Sequence, residues 1–183
     1  MDLSSVEKDI EKVLVTEEQI KVRISELAAE LDQHYADKRP LLLGVLKGAV
    51  MVMADLSRAM QIPVEMDWMA ISSYGSGTVS SGVVRILKDL DTDVIGRHVL
   101  IVEDIIDSGL TLSWLIANLE ARGAASVKVV ALLRKPDAAK VEVNVAWVGF
   151  DIPNEFVVGY GLDYAERYRT LKDVAVLSPA VYS

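Results

Sequence analysis

VLIVEDIIDSGLTL, the stretch Val99–Leu112, decides the fold class because it joins a strand, a loop and a helix within fourteen residues. Its leading apolar residues are typical of a strand buried on both faces, which we expect over His98–Glu103. A polar loop is expected over Asp104–Gly109, followed by a helix from Thr111 to about Arg122, where a glycine ends it. A buried strand that leads directly into a helix indicates a parallel sheet covered by helices.

The same alternation continues on both sides and predicts a single α/β domain over residues 1–183, with a mainly parallel twisted sheet flanked by helices and a core over about 38–178. Thr16-Glu17-Glu18-Gln19 has the form of a capping box and should begin a helix that reaches about Tyr35. The polar, glycine-rich segment at about 72–82 is expected to be a flexible loop. The other predicted elements are a helix over 49–60 and strands at Leu41–Leu46, from Val64 to about Ser72, Val83–Lys88, Ser126–Leu133, Val143–Gly149, Phe156–Val158 and Val174–Leu177.

The composition excludes several classes of protein. A net charge of −8 repels the phosphates of nucleic acids, so we expect no nucleic-acid partner. The chain has no cysteine and only two histidines, which excludes a disulfide framework and a multi-histidine metal site. No apolar run reaches the ~18 residues of a membrane span, and the charged N-terminal segment is unlike a signal peptide. We therefore expect a cytoplasmic protein with no membrane partner.

The residues at and after the end of the predicted strand His98–Glu103 are suited to binding a phosphorylated sugar. Gly109 permits an unusual backbone angle, Ser108 and Thr111 supply hydroxyls, and the helix N-terminus supplies unpaired N–H groups. The carboxylates of Glu103 and Asp104 repel phosphate, but they accept hydrogen bonds from vicinal hydroxyls or hold Mg²⁺. The same residue types also fit an ordinary strand–loop–helix unit with solvent-exposed acids and a serine cap, and both interpretations stay open on these residues alone.

Val99–Leu112 resembles the phosphoribosyl pyrophosphate signature of type I phosphoribosyltransferases, and separate motifs between Leu41 and Ser178 resemble the hypoxanthine–guanine branch of that family. The resemblance implies the type I fold, with a small hood formed by terminal segments. It also implies that Glu103 and Asp104 lie by the ribose hydroxyls, and that Asp107 is the general base that takes the proton from the purine N7. The residues that would hold the 5-phosphate are Asp107, Ser108, Gly109, Leu110 and Thr111.

Three further motifs match the side of the family site that binds pyrophosphate. Leu46-Lys47-Gly48 resembles the pyrophosphate loop, Ser73 and Tyr74 resemble the start of the flexible loop that closes over the pyrophosphate, and Arg169 lies at the spacing of a pyrophosphate contact. Closure of such a loop excludes water from the reacting sugar carbon. Alone, Lys47 also fits a strand-end lysine in solvent, and the loop also fits a plain hairpin connection.

The purine side is implied by Lys135 and by the stretch Val148–Tyr164. By resemblance, Lys135 meets the purine 6-oxygen, Phe156 stacks on the base, and the backbone of Val157 binds its edge. Asp163 belongs to the same purine-binding stretch and would hold the cofactor Mg²⁺. The implied metal set is Glu103, Asp104 and Asp163. Taken singly, Lys135 also fits a surface lysine and Phe156 also fits the hydrophobic core.

The implied function is purine salvage, in which hypoxanthine or guanine and phosphoribosyl pyrophosphate give IMP or GMP and pyrophosphate. A homodimer or homotetramer is expected from the apolar content of 51%.

Xanthine or adenine specificity is an alternative, and the donor-only ammonium of Lys135 opposes adenine. An RNA- or DNA-binding regulator of the same fold needs a basic surface, which the net charge of −8 opposes. A structural domain without a ligand is opposed by the joint presence of these motifs.

Overall fold

The structure, a computed structural model, describes residues 1–73 and 84–182 of the chain. Within these residues there are three α-helices: α1 (Glu17–His34), α2 (Val50–Ala59) and α3 (Leu110–Ala121). The flexible loop expected at about 72–82 lies, apart from its first two residues, outside the described part. The strands are β1 (Ile10–Val15), β2 (Leu41–Leu46), β3 (Glu65–Ser73), β4 (Val84–Lys88), β5 (His98–Ile106), β6 (Ser126–Arg134), β7 (Trp147–Asp151), β8 (Val157–Val158) and β9 (Val174–Leu177).

The main sheet has six strands in the order β4-β3-β2-β5-β6-β7, and all neighbours are parallel except the β3–β4 pair. This arrangement confirms the predicted α/β class with a mainly parallel sheet. A second, antiparallel sheet in the order β1-β9-β8 joins the two terminal segments of the chain, as the resemblance implied for the hood.

Both faces of the central strands are buried, which explains their uninterrupted apolar sequence. Leu42 of β2 and Leu100 of β5 face a core shared with α1 and α2, whereas Leu41 and Val99 face a core shared with α3. Parallel sheets are covered on both faces in this way because each crossover connection places a helix on one of them. The predicted capping box of α1 is present, with the Thr16 side chain accepting from the Gln19 backbone and the Gln19 side chain accepting from the Thr16 backbone.

Three strands differ from the prediction by more than one residue at an end, or were not predicted at all. β5 continues to Ile106, beyond the predicted end at Glu103, because β6 runs beside it and pairs as far as Ile106 with Arg134. β7 spans Trp147–Asp151 instead of starting at Val143, since the pairing with β6 begins at Trp147. β1 was not predicted, because its mixed charged and apolar residues have no strand-like signal until β9 lies beside them.

Within residues 1–73 and 84–182, no helix combines the length and the apolar character that crossing a membrane requires.

Candidate active site

The carboxyl ends of the parallel strands bring the predicted residues to one edge of the main sheet. Lys47 follows β2, Asp107 follows β5 and Lys135 follows β6. They open onto one cavity of about 360 Å³, which we call the larger cavity. Its lining is Lys47, Gly48, Asp104, Ile105, Asp107, Lys135, Phe156, Val157, Leu162, Asp163 and Arg169. Ligands in open α/β sheets bind at this edge, so the topology places the predicted residues where a ligand site is expected.

A smaller cavity of about 140 Å³ adjoins the larger one, and Ile105 and Asp107 line both. Gly109 is the N-cap of α3 and has a φ of +77°, the left-handed conformation that its sequence position predicted. A Cβ atom at Gly109 would lie 2.8 Å from the Val141 carbonyl oxygen, so a larger residue does not fit. The full lining is Glu103, Ile105, Ile106, Asp107, Ser108, Gly109, Thr111 and Leu112.

The smaller cavity contains several groups of the kind that bind anions. Leu110 is the first residue of α3, so its backbone N–H is among those left unpaired at the helix N-terminus. The hydroxyl residues Ser108 and Thr111 line the cavity beside these groups. The loop before α3 is fixed by a distant chain segment, because the Ser108 carbonyl accepts hydrogen bonds from the N–H groups of Lys140 and Val141 at 3.0 and 3.2 Å. The arrangement suits a phosphate monoester.

Glu103 and Asp104, the two acids in the second half of β5, lie in partly buried positions. Burial raises the pKa of Asp104 to about 6, and the nearby charge of Asp163 adds to the rise. Burial, and then the charge of Asp104, raises the pKa of Glu103 well above its ordinary range. A neighbouring cation or a set of hydroxyl donors would stabilise these carboxylates in their charged form.

The side of the larger cavity that was predicted to bind pyrophosphate carries the two predicted cations, Lys47 and Arg169. Beside them lies one carboxylate that sequence reasoning missed, that of Glu166. The Lys47 ammonium lies 3.0 Å from Glu166, and the Arg169 guanidinium lies 2.8 Å from Asp163 and 3.4 Å from Glu166. Hydrogen bonds from Lys47, and then from Arg169, lower the pKa of Glu166. Glu166 therefore carries a negative charge between the two cations. The peptide bond that precedes Lys47 is cis.

Two glycines allow the loops around this side to touch. A Cβ atom at Gly161, whose φ is +103°, would overlap the carbonyl oxygen of Gly48, and one at Gly48 would overlap the Asp104 carboxylate. Arg169 donates to the Gly161 carbonyl at 2.8 Å, and the Gly161 N–H donates to the Arg169 carbonyl at 2.9 Å. Gly161 was missed from sequence, although the spacing Gly159-Tyr160-Gly161 was an available signal for close backbone packing.

On the side predicted to bind the purine, the burial of two residues answers questions that the sequence left open: whether Lys135 is a surface lysine and whether Phe156 is a core residue. Lys135 is 7% exposed, and its ammonium lies 3.4 Å from the Asp107 carboxylate, so it is not a surface lysine. The neighbouring Arg134 binds Asp151 instead, at 2.7 Å. Phe156 lines the larger cavity and is 42% exposed. A residue with this exposure does not belong to the hydrophobic core.

The remaining predicted residues have different outcomes. Val157 and Asp163 line the larger cavity together with Phe156. Ser73 ends β3, and Tyr74 lies outside the described residues. Sequence reasoning missed Ile105 and Leu162, whose apolar side chains line the same cavity and carry no chemical signal in the sequence.

Among the described residues, no three acidic, histidine or cysteine side chains lie close enough to hold a metal ion alone. Asp104 and Asp163 nevertheless line one cavity. Mg²⁺ is usually held by one or two carboxylates, with waters and substrate phosphates completing its shell. The oxygen donors present fit an ion that arrives with a phosphorylated substrate.

Comparisons with known proteins agree with this geometry. Residues 13–165 match the phosphoribosyl transferase domain family. The chain is 58% identical over 180 residues to a hypoxanthine-guanine phosphoribosyltransferase of Mycobacterium avium, covering 95% of this chain and 89% of the relative. It is 58% identical over 174 residues to the enzyme of the same description from Bacillus subtilis strain 168, covering 95% and 97%. A crystal structure of a hypoxanthine phosphoribosyltransferase from Staphylococcus aureus matches with a TM-score of 0.95 at 42% identity, covering 98% of this chain and 97% of that one.

Proposed function

The chain belongs to the phosphoribosyltransferase family, and from this premise we propose that it is a purine-salvage enzyme that converts hypoxanthine or guanine and phosphoribosyl pyrophosphate into IMP or GMP and pyrophosphate. The observation that carries the proposal is the pair of adjoining cavities. The smaller one suits a 5-phosphate, and the larger one combines cations with an exposed aromatic ring and a buried lysine. A sugar phosphate that bears a leaving group and a base would occupy both.

The hard step of the reaction is breaking the bond between the anomeric carbon and the pyrophosphate oxygen. Negative charge gathers on the leaving group while the sugar becomes oxocarbenium-like. Lys47 and Arg169 would stabilise that charge from the larger cavity, and electrostatic stabilisation of this kind usually contributes more to catalysis than any other single effect. The loop Ser108–Thr111 would fix the sugar by its phosphate. Glu103, which lines the smaller cavity, and Asp104, which lines the larger one, would accept hydrogen bonds from the sugar hydroxyls.

Mg²⁺ is the proposed cofactor, with Glu103, Asp104 and Asp163 as its protein carboxylates. Bound with the substrate, it would add positive charge beside the departing pyrophosphate. The chain's own groups suit this role because an added cation also offsets the repulsion between Asp104 and its acidic neighbours.

Asp107 is the proposed general base for the purine N7 proton. Its position supports the role, because it is the one acidic residue among the described residues that line both cavities. A base there lies between the site of the sugar and the site of the purine. The ammonium of Lys135, 3.4 Å from the Asp107 carboxylate, would be in reach of the purine 6-oxygen on the same side.

Lys135 also determines which purines we expect the enzyme to accept. An ammonium donates hydrogen bonds and accepts none, so it pairs with a 6-oxo group and faces a 6-amino group unfavourably. Because Lys135 is buried, water does not readily replace the missing partner. We therefore propose activity with 6-oxopurines and discrimination against adenine.

Two broader features belong to the same proposal. We propose that the enzyme forms a homodimer or homotetramer, which its apolar content of 51% supports. We place its reaction in the cytoplasm, because a multiply charged sugar phosphate does not cross a membrane unaided. Sedimentation velocity of the purified protein measures the first of these directly.

The test supplies Mg²⁺ and phosphoribosyl pyrophosphate with hypoxanthine, guanine, xanthine or adenine in turn, and measures pyrophosphate release. We expect release with hypoxanthine or guanine and little with adenine. Ribose 5-phosphate in place of phosphoribosyl pyrophosphate is the control, because it fills the smaller cavity without a leaving group. The absence of release with all four bases would overturn the enzyme proposal, and release with adenine alone would overturn the role of Lys135.

A further inference from the structure

An aromatic cluster lies beside the proposed purine site, and only its Phe156 ring has a part in the function proposed so far. It consists of Phe156, Tyr164 and Tyr182. The ring of Tyr182 lies 5.2 Å from that of Phe156 at an interplanar angle of 36°, and Tyr164 meets Phe156 edge-on at 5.8 Å and 88°. The two tyrosine rings are 6.1 Å apart. These separations and angles are those of attractive aromatic pairs.

The two tyrosines contact the Phe156 ring but do not line the larger cavity. Phe156 lines that cavity, whereas Tyr164 and Tyr182 are not among its lining residues. Phe156 remains 42% exposed in spite of its contacts with both rings. Phe156 therefore contacts both tyrosines and, as a lining residue of the larger cavity, keeps exposed surface.

The backbone explains why Phe156 depends on such support. Phe156 immediately precedes the two-residue strand β8, and its carbonyl accepts from the Leu177 N–H at 3.0 Å. Its main chain is thus fixed to the end of β9, whereas its ring does not belong to the hydrophobic clusters formed by the described residues. Tyr182 follows a single 3-10 turn, Pro179–Val181, that leads from β9 back over this ring. Val181 anchors the turn by packing on a small apolar cluster that includes Leu177.

We propose that Tyr182 is a positioning residue for the purine, which acts by holding the Phe156 ring in the orientation that stacks on the base. Tyr182 does not touch the base. This inference rests on the proposed function, since it names a residue that tunes the base-binding half of the same site. Without Tyr182, the Phe156 side chain gains rotational freedom, and binding of the base must then order it. The loss of one aromatic pair therefore predicts a roughly three- to tenfold higher KM for the base.

The experiment compares Tyr182→Ala with Tyr182→Phe, which keeps the ring and removes only the hydroxyl. Steady-state kinetics give the KM for hypoxanthine and the KM for phosphoribosyl pyrophosphate separately, and thermal unfolding gives Tm. We expect Tyr182→Ala to raise the KM for hypoxanthine about three- to tenfold and to leave the KM for phosphoribosyl pyrophosphate within about twofold. Tyr182→Phe should behave as the parent. Met66→Ala, which removes a 55% exposed side chain on β3, is the control for loss of a surface apolar group.

Several results would overturn the inference. An unchanged KM for hypoxanthine in Tyr182→Ala would show that Phe156 needs no support, and a lower KM would show that Tyr182 occupies the place of the base. A parallel rise of both KM values with a lower Tm would show a general structural role. Failure of Tyr182→Phe to restore the parent KM would assign the effect to the hydroxyl. Failure of the proposed function is a separate result, because the parent protein would then release no pyrophosphate with any base.

Discussion

Asp107 lines both cavities, and that position is the basis of a prediction at the scale of a single residue. Asp107→Asn keeps the size of the side chain and an oxygen that faces Lys135, but an amide does not take a proton from the purine. We expect kcat to fall about 100-fold or more, with the KM for phosphoribosyl pyrophosphate within about twofold of the parent. Asp137→Asn, at an exposed acid in the turn after Lys135, is the matched control. Turnover at the parent rate would show that Asp107 is not the base.

Glu166 gives a second prediction at this scale, because it neutralises the two cations proposed for pyrophosphate. Its negative charge competes with the incoming anion, so Glu166→Gln should lower the KM for phosphoribosyl pyrophosphate by about two- to fivefold. The gain should shrink as salt rises from about 0.05 M to about 0.5 M, because screening weakens interactions between exposed charges. Kinetics at the two salt concentrations measure both effects.

The control for Glu166 is Glu30→Gln, which removes an exposed carboxylate paired with Arg23 on α1, away from the cavities. A higher KM in Glu166→Gln would contradict the prediction and would mean that the carboxylate orders Lys47 and Arg169 for binding.

The family resemblance selected Lys135 and Phe156, whereas their residue types alone did not assign their surroundings. A lysine after a strand and a phenylalanine before one are common on surfaces and in cores. What separates them from a surface lysine and a core phenylalanine is the 7% exposure of Lys135 and the 42% exposure of Phe156, which are set by chain segments distant in sequence. Glu166 was missed because nothing distinguishes it in sequence from any other acid of a polar loop.

At the scale of elements, Gly161 ties the loop after β8 to the loop after β2. Gly161→Ala adds a methyl group that would overlap the Gly48 carbonyl, in a backbone conformation that already disfavours side chains. The pyrophosphate loop must then shift, and we expect a lower Tm and a roughly tenfold higher KM for phosphoribosyl pyrophosphate, with a smaller change in the KM for hypoxanthine.

Gly96→Ala separates the two causes in that prediction. Gly96 has a similar left-handed φ of +69°, but a Cβ atom there meets nothing within 4 Å. This variant should lower Tm through backbone strain and leave both KM values unchanged. If Gly161→Ala had the same kinetics as Gly96→Ala, the contact with Gly48 would have no role in the site.

The elements were predicted well where burial on two faces requires a continuous apolar run, as in Leu41–Leu46 and the first residues of β5. They were predicted poorly where a neighbouring strand sets the boundary. The last residues of β5 are a strand because β6 pairs with them, and β1 is a strand because β9 does. Sequence periodicity carries no information about such partners, so it misplaced the acids Glu103 and Asp104 at the strand end.

At the scale of the whole molecule, the raised pKa values of Glu103 and Asp104 predict how the stability of the fold depends on pH when Mg²⁺ and substrate are absent. A carboxyl whose pKa is higher in the folded protein costs stability as it ionises there. For Asp104 the cost appears as pH rises from about 4, where an unfolded aspartate ionises, through about 6, where the folded one does. Asp104→Asn should therefore have a higher Tm than the parent at pH 8 and a similar Tm at pH 4, measured by calorimetry with a chelator.

Asp67 is the control of opposite sign. Its burial tends to raise the pKa, but hydrogen bonds from the N–H groups of Trp68, Thr92 and Asp91 outweigh it and lower the pKa. Such a carboxylate stabilises the fold above its unfolded pKa and ceases to do so as pH falls. Asp67→Asn should lower Tm at pH 8. Equal Tm values for the parent and Asp104→Asn at pH 8 would contradict the burial cost assigned to Asp104.

The second sheet has a consequence for how the protein is made. In the described part of the chain, β8 and β1 each pair with β9 alone, so neither can be fixed until residues 174–177 have left the ribosome. The main sheet and the loop before α3 are complete earlier in synthesis. A nascent chain would thus acquire the half of its site that suits a phosphate before the half that suits a base, because pairings between distant segments form last.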